Sequence, residues 1–288
     1  MTAIHPADEQ DSHLPDLRFV PTESIIPHEQ HDDQRLGPLV QRFREQSVLK
    51  NPPVVTPIWG GTSGARFMVL DGANRSTAAR AAGFPHIVVQ VVPYDHGAVR
   101  LSTWNHALAD FPRAGLEEAL GTISGLECRR AELLSARAAL ARRAALAWVQ
   151  LADGPALTLH GGNDLHDRNA LLNQIVDRYH RRKFYRVEGD DLGPIRLRHP
   201  DVTGLVVFPH FEPAEILELA TAGDRLPAGI TRHLIRWRAL RLNIPIDKLQ
   251  DDRCSLEDKN RWLEQWISEK LAVRQVRFYE EPTVLFDE

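Results

Sequence analysis

The chain has 288 residues, 43% of them hydrophobic and 26% charged, with a formal net charge of -4 and a pI near 6.4. These ordinary globular values exclude collagen-like, largely disordered and membrane-embedded classes, and they give no global electrostatic case for DNA as a partner. Cys128 and Cys254 are too few for a disulfide framework or a cysteine zinc site, no apolar run approaches the ~18 residues of a membrane span, and the N-terminus lacks a signal-peptide pattern. A cytoplasmic protein, monomer or homodimer, of one or two domains without membrane contact is expected.

In chain order, residues 1–16 read as a polar, proline-marked arm and 17–20 as a short strand. Leu36, Leu39, Val40 and Phe43 recur at helical spacing behind Asp32 and Asp33, which indicates an amphipathic helix. Pro52 and Pro53 end it, the β-branched run 54–58 and the run 65–70 flank a glycine-rich turn, and the pair reads as a hairpin. A helix over 74–82 closes at Gly83, and 86–92 reads as a buried strand. Residues 96–109 are expected to be helical, carrying Trp104 and His106, and 127–151 to be the steadiest part of a long helix rich in Ala, Leu and Arg. Further on, strands are expected at 155–162, 205–208, 240–246 and 273–279, and helices at 167–183, 213–223 and 255–271.

The stretch from Val69 to Gly83 stands out as strand, turn and helix. Free N–H groups at such a helix start, with the dipole and Arg75, suit a phosphate, although the Walker A spacing is absent. A tight connection between elements would carry the same pattern. Two other polar groups fall near element ends: His28 with Glu29, and Thr231, Arg232 and His233. A carboxylate can accept a hydroxyl proton, and Thr, Arg and His together can hold a small anion. Phosphoryl transfer is therefore one chemistry open to these residues, beside purely structural roles for each.

Several of these segments carry a resemblance. Ile25, Ile26, Pro27, His28 and Glu29, then Leu49 to Val54, then Leu70, Asp71, Gly72, Ala73, Asn74 and Arg75 look like the N-terminal domain of the ParB and sulfiredoxin fold. The Pro-His-Glu element, the segment 226–235, Arg238, Asn243 to Pro245 and the tail from Arg277 to Glu281 and Phe286 to Glu288 are similar to the free L-serine kinases. That family includes a siderophore-pathway member and archaeal ADP-dependent relatives.

The resemblance implies an α/β (α+β) protein: a flexible arm at 1–16, a ParB/sulfiredoxin-like domain at 17–110, a helical connector at 111–154, and a second mixed domain at 155–288 closing a cleft. It implies phosphorylation of free L-serine to O-phospho-L-serine with ATP or ADP and Mg2+. Glu29 and Asp71 would be catalytic, Asp71 also a metal ligand. Gly72, Ala73, Asn74, Arg75 and Ser76 would bind nucleotide phosphate, and Trp104, Thr231, Arg232 and His233 would bind substrate. Ala73 and Asn74 stand where the family usually has two histidines, and Ala73 cannot donate a side-chain hydrogen bond. A ParB-like nucleotide-binding regulator and a non-catalytic phosphoserine sensor are the alternatives, and sulfiredoxin chemistry is disfavoured because its cysteine is missing from the turn.

Overall fold

The computed structural model describes residues 14–30, 40, 41, 43, 45, 47–58, 66–95, 97–151 and 154–279. Most of the expected arm, much of the helix expected behind Asp32 and Asp33, the glycine-rich turn near 60–64 and the tail beyond 279 lie outside these residues. The mixed α/β class expected from the sequence holds. The chain forms two compact units interleaved in sequence: Met1–Ile26, Asp33–Pro93 and Ile235–Glu288 make the first, and Pro27–Asp32 with Tyr94–Leu234 make the second. Contiguous spans were expected; here the C-terminal segment belongs with the N-terminal sheet, and His28 and Glu29 belong with the middle of the chain.

In the first unit, a five-stranded sheet runs in the spatial order Asp16–Pro21, His86–Val91, Val54–Ile58, Arg66–Asp71 and Ile25–Pro27. The expected hairpin is present, Val55 pairing with Val69 and Ile58 with Arg66. The core of this unit gathers Phe19, Val55, Val69, Ile87 and Val89 together with Ala78 and Ala79 of the helix Ala73–Ala81. Small residues on that helix let it lie close to the strands. The helix Leu256–Ala272 starts as the sequence indicates, with Ser255 accepting from the Asp258 N–H at 3.1 Å. Its Asn260 side chain accepts from Phe19 N at 2.8 Å and donates to Phe19 O at 3.1 Å, which satisfies backbone groups of the edge strand Asp16–Pro21.

The second unit holds a six-stranded sheet in the order Phe184–Val187, Asn105–Ala109, Val202–Val207, Ala147–Leu151, Ala156–His160 and Glu127–Ala131. Two helical expectations fail here. Residues 96–109 form the strands Val99–Thr103 and Asn105–Ala109 instead of a helix, with Trp104 at the break between them. Every residue of Asn105–Ala109 is buried, so its run of apolar and small residues reflects burial on both faces of a strand rather than a helical face. The long helix over 127–151, and with it the helical connector, is replaced by a strand Glu127–Ala131, a helix Leu133–Ala141 and a strand Ala147–Leu151. Arg143 has a left-handed φ of 58° directly after that helix, and Glu127–Ala131 is recruited by pairing with Ala156–His160, so cross-strand bonding overrides local helix propensity. The strand expected at 240–246 shrinks to Ile244–Pro245, and 273–279 follows the last helix as turn and irregular chain.

Candidate active site

In the second unit, Glu29 forms a parallel bridge to Leu226, with Leu226 N donating to His28 O and Gln30 N to Leu226 O, each at 2.8 Å. That pairing presents the Glu29 side chain to the turn and strand that follow Leu226. Glu29 Oε2 accepts from Gly229 N at 2.8 Å, and Oε1 accepts from Thr231 N at 2.7 Å and from Thr231 Oγ1 at 2.6 Å. Three donors thus fix the carboxylate, and of its roughly four acceptor positions one remains, on Oε2. Because the Thr231 hydroxyl hydrogen is given to Glu29, His28 Nε2, at 2.8 Å, is the donor to Thr231 Oγ1. The result is a relay from a buried imidazole through a hydroxyl to a carboxylate.

His233 completes this group. Its ring meets His28 edge to face at 5.0 Å between centroids, and its Nε2 lies 2.8 Å from the Tyr94 hydroxyl. Burial holds the Tyr94 pKa above its usual value, so the phenol stays protonated. Thr231 and His233 lie on the strand Thr231–Ile235, which pairs with Val99–Thr103. Strand alternation turns Arg232 the other way, where its guanidinium lies 4.5 Å from the centre of the Trp104 ring and pairs with the exposed Glu188. All the substrate-binding residues expected from the sequence therefore sit in this unit, Thr231 and His233 on the face of the strand towards Glu29, and Arg232 with Trp104 on the other side.

Asp71 and the turn belong to the first unit. Gly72 is left-handed at φ 88°, and a Cβ there would stand 2.9 Å from Arg75 Nη2 and 3.0 Å from Pro53 Cα. The helix Ala73–Ala81 has no side-chain N-cap and Ser76 N donates to Gly72 O at 3.0 Å, so the N–H groups of Ala73 and Asn74 lie at the positive end of the helix dipole. Arg75 Nη2 donates to Asp71 Oδ2 at 2.7 Å, and Arg238 pairs with the same oxygen. Two guanidinium groups on one carboxylate leave a net positive surface suited to phosphate. Of the other expected residues, Ala73 packs against the core, and Ser76 is buried with its hydroxyl donating to Ala73 O at 3.0 Å, turned into its own helix. Replacing Gly72 by Ala is expected to cost about 1–2 kcal/mol of stability, read by urea unfolding, and to displace the Arg75 side chain; unchanged stability would contradict this account of the turn.

Arg238 reaches Asp71 from a loop in which Trp237, Arg241 and Asn243 all have left-handed φ, 53–55°. Such strain, about 1–3 kcal/mol per residue, persists only where the surroundings enforce it. The buried Gln90 amide does so by donating to Trp237 O at 3.0 Å and accepting from Ala239 N at 2.8 Å, while Asn51 Oδ1 accepts from Arg241 N at 2.8 Å.

For Mg2+, Asp71 Oδ2 is committed to the two arginines, which leaves Oδ1 as a ligand. Among the described residues there is no group of three His, Cys, Asp or Glu that could hold a metal alone. One carboxylate beside a turn suited to phosphate still fits Mg2+, which keeps several waters and is commonly held through one or two carboxylates and phosphate oxygens. Among the described residues no helix is long and apolar enough to cross a membrane.

No family model matches the chain. Over 112 residues, 38% of this chain and 43% of the relative, it is 31% identical to the ATP-dependent L-serine kinase of Desulfurococcus mucosus, so it spans under half the length of that relative. With the ATP-dependent L-serine kinase SbnI of Staphylococcus aureus it shares 23% identity over 284 residues, 94% of this chain and 97% of the relative. The structure of C-terminally truncated SbnI superposes with a TM-score of 0.70 at 22% identity, covering 88% of this chain and 97% of that one. A free serine kinase in complex with AMP superposes with a TM-score of 0.68 at 15% identity, covering 82% of this chain and 94% of that one. The fold is the one these two solved structures share.

Proposed function

We propose that the chain phosphorylates free L-serine to O-phospho-L-serine with ATP or ADP as donor. The observation that carries this reading is the Glu29 carboxylate, held by Gly229 and Thr231 with an acceptor position remaining on Oε2. In this role Oε2 takes the proton of the serine hydroxyl as its oxygen bonds to the terminal phosphorus and the bond from phosphorus to the leaving nucleotide oxygen breaks. Thr231 and His233 hold the amino acid. Arg232, on the other face of the strand, lies over Trp104 and pairs with Glu188, which steadies the strand that carries Thr231 and His233.

The first unit serves the nucleotide. Its Gly72, Ala73, Asn74 and Arg75 backbone and the Arg75 and Arg238 side chains receive phosphate oxygens, as the helix start and positive charge favour. Mg2+, when bound, neutralises phosphate charge, and Asp71 would hold it through Oδ1. Asn74 offers a donor where Ala73 offers none, which keeps the phosphoserine sensor as a second reading. Incubation of the purified chain with L-serine, Mg2+ and either ATP or ADP, followed by mass detection of phosphoserine, separates the two. The kinase reading expects product with at least one donor; phosphoserine binding without product from either favours the sensor.

A further inference from the structure

The Glu29 site is backed by a second, fully buried polar pair that no step above uses. His106 lies on the strand Asn105–Ala109, next to the edge of the sheet, with 0% exposure, its ring packed 4.4 Å from Phe184 and 4.9 Å from Phe208 between centroids. His106 Nε2 is 3.2 Å from Gly229 O, and Nδ1 is 2.8 Å from the Tyr179 hydroxyl. A carbonyl only accepts, so Nε2 carries the hydrogen, and in the neutral ring Nδ1 accepts from Tyr179. Burial lowers the His106 pKa to about 3 and raises that of Tyr179, which fixes both as neutral.

Gly229 is where this pair meets the site, because its carbonyl is held by His106 and its N–H is given to Glu29 Oε2. It is left-handed at φ 76°, and Arg186 packs so closely that a Cβ would lie 2.1 Å from its Nε. The fold itself does not call for an imidazole here. Strands of this sheet are filled by Ala, Leu and Val, and burying polar groups costs free energy that an apolar side chain would not incur.

We propose that His106, oriented by Tyr179, is a positioning residue: by holding the Gly229 carbonyl it fixes the conformation of Gly229, whose N–H on the preceding peptide aims Glu29 Oε2, the oxygen with the remaining acceptor position. This rests on Glu29 being the base. A carboxylate misplaced by about 1 Å can lose on the order of 10²-fold in rate, so the lock would show in kcat more than in serine affinity.

The test uses the full chain with His106→Leu, His106→Gln and Tyr179→Phe. Gln places an amide donor near the Nε2 position, whereas Leu removes it. For His106→Leu, kcat is expected to fall roughly ten- to hundred-fold with serine KM within about two-fold, and hydrogen exchange at the Gly229 amide to quicken at least about ten-fold. Gln should restore most of both, with Tyr179→Phe between, which keeps the test decisive if the Leu variant does not fold. Folded variants with wild-type kcat and Gly229 exchange, or Gln and Leu losing kcat only in step with melting temperature, would overturn the proposal. A wild-type chain that makes no phosphoserine would instead overturn the assignment of the base, with the exchange data showing whether His106 fixes Gly229.

Discussion

Glu29→Gln is expected to reduce kcat for serine phosphorylation by about 10²–10⁴-fold, the usual contribution of a positioned general base. The geometry adds a second effect. Oε1 receives both the N–H and the hydroxyl of Thr231, so the glutamine keeps its carbonyl there and turns its NH2 towards Gly229 N–H. Two donors then face each other in a half-buried site, at a cost of about 1–3 kcal/mol. Turnover at saturating serine together with a thermal melt reads both effects. Activity within a few-fold of wild type would place the base elsewhere.

Asp71→Asn is expected to lower kcat/KM for the nucleotide by roughly 10²-fold, because one substitution removes the charge that orders Arg75 and Arg238 and the proposed carboxylate ligand of Mg2+. Stability should change little. The Asp71 side chain is 36% exposed, and ion pairs in such positions contribute about 0–1 kcal/mol. Nucleotide titrations of the variant and wild type, with parallel melts, separate the two effects; equal nucleotide kinetics would show that the turn acts without Asp71.

The elements most legible in the sequence were those whose signal is local. The hairpin 54–71, the helix after Gly72 and the capped helix from Ser255 carry their turns, glycine and cap in a few adjacent residues. The segments that failed, 96–109 and 127–151, have helix-compatible composition but partners far along the chain, and sheet pairing decided them. The site divides in the same way. The Gly72 turn was visible as a turn, but Glu29 meets Thr231 across 202 positions, which no local spacing reveals, and only the resemblance joined them. Tyr94, Gly229 and the His106–Tyr179 pair were missed as parts of the site, since each acts through a tertiary hydrogen bond. Gln90 did leave a trace: an amide after the apolar run Ile87, Val88 and Val89 needs a partner, and that partner is the loop carrying Arg238.

The most direct measurement is 31P NMR of the purified chain with L-serine and Mg2+ and ATP, repeated with ADP. The account predicts a phosphoserine resonance that grows in equal amount to the loss of the donor's terminal phosphoryl group, and that requires serine. Donor left intact with both nucleotides, or inorganic phosphate released at the same rate whether or not serine is present, would contradict it.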